Sequence, residues 1–347
     1  MPAKSTKSAA RATRSPSASG LSIVVPVFNE AKGLAALHER IAEVARWLKV
    51  KRGLRSEVIY VDDGSSDETA RVAHSLAADP LDVQVVSLSR NFGKEAALMA
   101  GLDHARLGAL LFMDGDGQHP PDLVDTLVAR WLDDDYDVVY TAKAHRENEA
   151  WLRRTSVHWF YALINLGSRQ KIPEDAGDFR LLSPRAAAAM RQMPERSRFF
   201  KGLSSWIGFK QVRVDYEPAL RAHGASSWSV WTLIGLSIEG LTSFSVAPLR
   251  VASVLGLLLA VTALFFGGWI LLQTLLYGQD VPGYPSLVVG LMVIGGVQLI
   301  MIGVLGEYIG KLLSEIKARP VYFVAEHSLK SAEDSVKARP AASRAAE

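Results

Sequence analysis

Two apolar runs near the end of the chain, Leu249 to Tyr277 and Pro285 to Ile309, carry no charge between Arg250 and Glu307. Each exceeds the roughly 20 residues a helix needs to cross a hydrocarbon core about 30 Å thick. In lipid every backbone group must be paired within its own segment, so the runs read as a two-helix transmembrane hairpin spanning 248–310. A pair of buried helices in a soluble protein is the alternative. The connector GQDVPGYPS, Gly278 to Ser286, has neither Lys nor Arg, whereas Arg250 precedes the first run and Lys311, Lys317 and Arg319 follow the second. The positive-inside rule therefore predicts that both ends of the hairpin are cytoplasmic, with 311–347 a cytoplasmic tail. Gly303, Gly306 and Gly310 lie near one face of the second run and suggest close helix packing.

Just upstream, SSWSVWTLIGLSIEGLTSFSVAP can set Trp228, Trp231, Ile234, Leu241 and Phe244 on one side, with Ser and Glu239 on the other. The segment 226–247 reads as an amphipathic helix lying in the membrane interface, the alternative being a helix packed on a soluble core. At the other end, residues 1–20 place Lys4, Lys7, Arg11 and Arg14 among Ser and Ala without apolar periodicity, a disordered basic tail. It lacks the apolar stretch of a secretory signal, so the N-terminal half is expected in the cytoplasm. A formal charge of +3 over 347 residues gives no reason to expect a nucleic-acid partner. With no cysteine, disulfides and thiolate metal sites are excluded.

Between tail and membrane segments, 21–225 alternates strand and helix signals. LSIVVPV, EVIYVDD, VQVVSLS, ALLFMD and DVVYTA are β-rich runs, Gly33 to Lys49 has helical spacing, and Ser65 with Glu68 reads as a capping box. That order predicts an α/β domain with a mainly parallel sheet covered on both faces. Ligands of such sheets bind beyond the carboxyl ends of the strands.

The strand ends are where the chemistry collects. Asn29 and Glu30 follow the first strand, Asp62 and Asp63 the second, Arg90 to Lys94 the third, and Asp114 with Asp116 the fourth. A carboxylate can accept from the N–H edge of uracil or guanine, while RNFGK offers a glycine for close approach and a cation for phosphate. Two acids spaced i, i+2 and followed by Gln118 offer hard oxygen ligands for Mg²⁺ or Mn²⁺ on a diphosphate. The plainer readings are a tight DGDG turn with exposed acids and a strand, turn and helix cap at VDDGSSDE. An Asp-x-Asp strand end also occurs in phosphatases, although there the pair usually sits on an early strand. A Gly-x-Gly-x-x-Gly dinucleotide fingerprint is absent.

Taken together, VVPVFNE, VDDGSSDET, SRNFGKEAAL, MDGDGQHPPDL, GDFRLLS, RFFKGLSSWIG, IEGLTSFSVAPLR and GVLGEYIGK resemble family 2 glycosyltransferases of the GT-A (Rossmann-like) fold. Within them the chain is similar to the polyprenyl-phosphate branch related to dolichyl-phosphate mannose synthase, and to bacterial two-span members that act on undecaprenyl phosphate. The resemblance covers residues 20 to 325. It implies that Pro26, Asn29, Glu30, Asp62, Gly93, Lys94 and Asp114 bind the nucleotide. It implies Asp116 and Gln118 as direct metal ligands, with Asp114 acting through the donor or a metal-bound water. Asp178, Asp116 and Arg180 are the implied catalytic set, Asp178 facing the sugar and acceptor and Arg180 a phosphate. Arg198, Lys201 and Arg221 are candidates for the acceptor phosphate or the leaving diphosphate, the alternative being membrane-surface charge. Two positions depart from the pattern: Gly117 stands where many relatives have Leu, and Ser227 where the usual motif has Lys.

The resemblance implies inverting transfer of a sugar to a polyprenyl phosphate in a bacterial inner membrane, with a nucleotide sugar, the lipid, the membrane and further copies of the chain as partners. UDP-glucose is the first choice of donor; GDP-mannose and UDP-linked aminoarabinose derivatives follow. A phosphate monoester is largely ionised at neutral pH, so Asp178 can serve as a base or as an orienting group. A processive synthase would usually carry Gln-x-x-Arg-Trp, which is absent. A non-catalytic membrane scaffold would need no metal.

Overall fold

A computed structural model describes residues 20–117, 119–143, 176–193, 195, 200–217, 242, 246–278 and 283–329. Gln118, Arg198, Arg221, Ser227, the basic tail up to residue 19 and nearly all of the expected interface helix at 226–247 lie outside the described residues.

The chain forms β1 (Gly20–Val27), α1 (Leu34–Arg52), β2 (Arg55–Asp62), α2 (Thr69–His74), β3 (Asp82–Leu88), α3 (Lys94–His104), β4 (Ala109–Phe112), α4 (Leu123–Leu132), β5 (Val138–Lys143) and β6 (Ala176–Leu182). Then follow α5 (Pro184–Arg191), α6 (Phe200–Trp206), β7 (Gln211–Tyr216), α7 (Ala247–Tyr277), α8 (Tyr284–Ile316) and β8 (Val324–His327). The strands make one sheet in the order β7-β5-β6-β4-β1-β2-β3-β8. β1 pairs in parallel with β2 and β4, β2 with β3, and β5 with β7. β6 runs antiparallel between β4 and β5, and β8 antiparallel along β3.

The five β-rich runs become β1 to β5 because they are buried on both faces. Leu21, Ile23 and Val25 meet Leu34, Leu37, Ile41 and Leu48 of α1 on one side, and Val24, Ile59 and Phe112 meet Leu98, Met99 and Leu102 of α3 on the other. The apolar positions of α1 recur at helical spacing, and the helix stops at Gly53, whose φ of 65° lets Gly53 N donate to Lys49 O and Leu54 N to Leu48 O. α3 lies close on β1 because Gly101 has no Cβ, which would stand 2.1 Å from Val24 Cγ1.

The capping box does not form. α2 begins at Thr69, Asp67 accepts from Thr69 N, Ser65 Oγ accepts instead from Asn29 N, and Glu68 pairs with Arg71. Ser65 is taken by the neighbouring loop and is lost to its own helix.

The apolar runs form α7 and α8, each long and apolar enough to cross a membrane. Large side chains stand exposed along both, among them Leu264, Phe265, Phe266 and Trp269 on α7 and Leu291, Met292, Leu299 and Ile300 on α8. Leaving ten such groups in water forgoes about 15–30 kcal/mol of burial, more than the ~5–15 kcal/mol net stability of a typical domain. An apolar medium must therefore surround them. Among the described residues Gly303, Gly306 and Gly310 do not pack helix on helix, since a Cβ at each would meet nothing within 4 Å. Nor is 311–347 simply a tail. α8 runs on to Ile316, and β8 then joins the sheet, with Ser89 N donating to Phe323 O at 2.9 Å and Val85 N to Ser328 Oγ at 3.0 Å. The end of the hairpin is thus tied to the same sheet that carries β1.

Candidate active site

The loops at the carboxyl end of the parallel strands hold one another in sequence. Asn29 sits at φ 57°, a left-handed conformation Asn tolerates, and its Oδ1 accepts from Ser66 N at 2.9 Å. Glu30 N donates to Thr69 Oγ1 at 2.9 Å. These contacts fix the β1–α1 loop against the β2–α2 loop. The next tie is Asp63, whose buried carboxylate accepts from Phe92 N at 2.8 Å and Gly93 N at 2.9 Å. Burial pushes its carboxyl up from the usual range, against these two hydrogen bonds. Gly64 makes room for the approach: at φ 69°, a Cβ there would lie 2.5 Å from the Arg90 carbonyl carbon. Asp62, also buried, accepts from Ser65 N at 3.2 Å.

β4 ends at Phe112, and the chain turns through Asp114, Gly115 and Asp116 directly beside β1. A Cβ at Gly115 would stand 3.0 Å from Pro26 O. Pro26 itself lies beyond the last β1–β4 pair, Val24 with Phe112, so its missing N–H breaks no ladder on that side. The turn is held from beneath by His119: Asp114 N donates to His119 Nδ1 at 3.0 Å. A backbone N–H can only donate, so the ring accepts at Nδ1 and carries its proton on Nε2. Burial keeps the imidazole neutral by lowering its pKa, and the ring stacks on Phe179 with centroids 4.8 Å apart.

β6 brings the remaining acid. Because it runs antiparallel to β4, with Phe112 opposite Arg180, continuing the register sets Asp178 beside Asp114. Lys94, the first residue of α3, joins them: its Nζ is 2.6 Å from Asp114 Oδ1 and 2.6 Å from Asp178 Oδ2. Lys201 on α6 approaches Asp178 Oδ1 to 3.6 Å. Burial opposes ionisation of Asp178, but Lys201, Lys94 and Arg180 outweigh it and hold the carboxyl well below the usual range. Burial works likewise against the charge of Lys94, yet Asp178 and Asp114 raise its pKa above that of a free lysine. Tyr216, at the end of β7, is pushed up to about 12 by burial and by Asp114, Asp116 and Asp178, so its hydroxyl keeps its proton. The arrangement concentrates acids and ammonium groups at one rim, able to bind a diphosphate and to orient a charged nucleophile.

Most of the expected rim residues meet there: Pro26, Asn29, Glu30, Asp62, Gly93, Lys94, Asp114, Asp116, Asp178 and Lys201. Arg180 needs correction. It is fully buried, donating to Ser204 Oγ and to Gly177 O, with its guanidinium 5.6 Å from the Phe200 ring centroid. On β6 it shares a face with Asp178 one layer deeper, and it supports that carboxylate from below instead of meeting a phosphate. Sequence reasoning placed Asp63 at a strand end without giving it a role, and missed His119, Tyr216 and Glu95. Glu95 accepts from Phe200 N at 3.0 Å and so holds the start of α6, and burial together with Asp178 pushes its carboxyl up to about 7.

Residues 22–190 match the Glycosyl transferase family 2 family, and residues 247–312 match the GtrB C-terminal hairpin. The chain is 41% identical to the SfII prophage-derived bactoprenol glucosyl transferase of Shigella flexneri over 305 residues, 88% of this chain and 97% of that one. The protein belongs to glycosyltransferase family 2. The Escherichia coli prophage bactoprenol glucosyl transferase homolog is likewise 41% identical, over 88% of this chain and 98% of that one. An uncharacterized glycosyltransferase of Synechocystis is 40% identical over 88% and 95%. The family 2 match spans β1 to α5 and so includes Asp114, Asp116 and Asp178, and the hairpin match covers α7 and most of α8.

Proposed function

We propose that this family 2 glycosyltransferase moves glucose from UDP-glucose to undecaprenyl phosphate, at the cytoplasmic face of a bacterial inner membrane crossed by α7 and α8. The observation that carries the reading is the pairing of Asp114 and Asp178 on Lys94, at the rim of a domain joined to an apolar hairpin. The bactoprenol glucosyl transferases among its relatives support the choice of sugar and lipid.

In this mechanism a phosphate oxygen of the lipid attacks the anomeric carbon, the bond from that carbon to the nucleoside diphosphate breaks, and the configuration inverts. The nucleophile is already ionised near neutral pH, and a carboxyl held as low as that of Asp178 is a poor base. Asp178 therefore orients the acceptor and stabilises positive charge at the sugar, supported by Arg180. Lys94 and Lys201 face it and neutralise phosphate oxygens. Pro26, Asn29, Glu30, Asp62 and Gly93 wall the nucleotide, and His119 holds the Asp114 turn. Arg198 and Arg221 are assigned to the acceptor phosphate on the family pattern alone.

Among the described residues no three His, Asp or Glu side chains cluster to hold a metal unaided. Two carboxylates of one turn suit Mg²⁺ or Mn²⁺, which takes one or two protein oxygens and fills its shell with water and substrate phosphate. Asp116, Gln118 and Asp114 would hold it, and it would offset charge on the departing diphosphate.

The test is a donor panel of UDP-glucose, GDP-mannose and a UDP-aminoarabinose derivative, offered to the full chain in vesicles containing undecaprenyl phosphate. A glucosylated lipid with inverted anomeric configuration, read by NMR, is expected. Preference for the guanine donor, or sugar release without a lipid product, would overturn the reading.

A further inference from the structure

The segment that follows α8 is fastened to the far end of α3 and to the loop that presents Lys94. Tyr322 donates to Asp103 Oδ2 at 2.8 Å, and the Phe323 ring lies 6.3 Å from that of Phe92. Between loop and helix opens a cleft of about 550 Å³, within the size range of small-ligand sites. Phe92, Gly310, Leu313 and Val321 give it an apolar lining, to which Ser314 adds a hydroxyl and Lys317 and Arg319 two cations. The Arg90 guanidinium covers the Phe92 ring at 4.2 Å and adds a third positive group. Among the described residues its lining includes no carboxylate.

Depth argues for what fills it. Ser286–Ile316 has 31 residues. At 1.5 Å each it is about 46 Å long, against a hydrocarbon core of about 30 Å, so roughly its last ten residues reach headgroup level. A cleft at that level with an apolar wall, a hydroxyl and cations matches an amphiphile with an anionic head. We propose that it binds the phosphate headgroup of an anionic glycerophospholipid of the bilayer, and that the bound lipid fixes the Phe92–Gly93 loop from which Lys94 extends. None of the cations lining the cleft pairs with Asp114 or Asp178, whose cations are Lys94 and Lys201. The site is therefore separate from the one where transfer occurs.

The experiment compares full-length wild type with Lys317→Gln/Arg319→Gln in phosphatidylcholine bilayers with and without phosphatidylglycerol. A second pair, Arg250→Gln/Lys311→Gln, removes the same charge near the membrane without touching the cleft lining. Lipid retained through purification is counted by native mass spectrometry, a readout independent of the proposed reaction, and transfer rates are measured alongside. A juxtamembrane cation contributes about a fivefold preference for anionic lipid, so two should give about 25-fold. Wild type and the control pair should retain phosphatidylglycerol selectively and transfer faster in its presence. The cleft pair should lose both responses and keep its rate in phosphatidylcholine. Equal retention of the two lipids by wild type, or an equal loss in the control pair, would overturn the proposal. So would a rise in KM for undecaprenyl phosphate as phosphatidylglycerol is added, because that would make the cleft the acceptor's own site.

Discussion

Glu57 and Asp178 are both carboxylates inside the sheet, at opposite ends of it, and their partners differ in kind. Glu57, fully buried near the start of β2, accepts from Ser22 Oγ at 2.5 Å, Gln84 Nε2 at 2.7 Å, Arg106 N at 2.8 Å and Arg106 Nε at 2.9 Å. Burial opposes its ionisation, but these hydrogen bonds prevail and hold it below the usual range. Asp178, at the rim, has one short contact, with Lys94, and its buried Oδ1 accepts no hydrogen bond among the described residues. The first carboxylate is saturated and holds strands together. The second is kept ionised largely by nearby charge, with acceptor capacity left for a ligand.

Substitutions can sharpen that contrast. The largest effect is expected from Asp116→Asn, a rim acid outside the apolar core: transfer should fall about 10³-fold with the melting curve unchanged, and EDTA should do the same to wild type. Full activity in EDTA would contradict the metal assignment. Glu57→Gln should act the other way round, costing about 3 kcal/mol in denaturant unfolding while activity per folded molecule stays normal. Because the Glu57 carboxyl is lowered on folding, its stabilisation is present above the unfolded pKa and is lost as pH falls through the folded one. Stability of the variant should therefore be flatter on the acid side.

His119→Ala should cost about tenfold in rate, through loss of the acceptor for Asp114 N, with a smaller change in KM for the acceptor lipid. The mildest change is expected of Glu95→Gln. Glu95 is raised on folding, so its contribution is full below the unfolded value of 4.5 and is lost as pH climbs through about 7. The amide can still accept from Phe200 N, so the variant should lose that pH dependence between about 4.5 and 7 and keep most of its activity. An unchanged slope would place the titrating group elsewhere.

How far this contrast could be read beforehand depended on range. β1 to β5 were legible because doubly covered strands are continuous runs of Val, Ile and Leu, and the hairpin because lipid demands length and absence of charge. Asp178 was located by motif, but its meeting with Asp114 depends on β6 entering antiparallel, a register no local pattern encodes. The same limit hid β8, which pairs with β3 from the far side of the apolar hairpin. Asp62 and Asp63 are neighbours of one type, and only the backbone direction sends one to the β3–α3 loop. Arg180 looked like a phosphate ligand because charge is visible in a sequence and depth within a face is not.

The central claim is that the undersaturated carboxylate, not the saturated one, is where the reaction occurs, and Asp178→Asn tests it most directly. The measurement is the rate of glucosyl-lipid formation from UDP-glucose and undecaprenyl phosphate in vesicles, normalised to folded protein, with thermal unfolding recorded on the same samples. The account predicts a rate about 10³-fold below wild type and no lower melting temperature. A variant that unfolds more easily yet transfers glucose at the wild-type rate would contradict it.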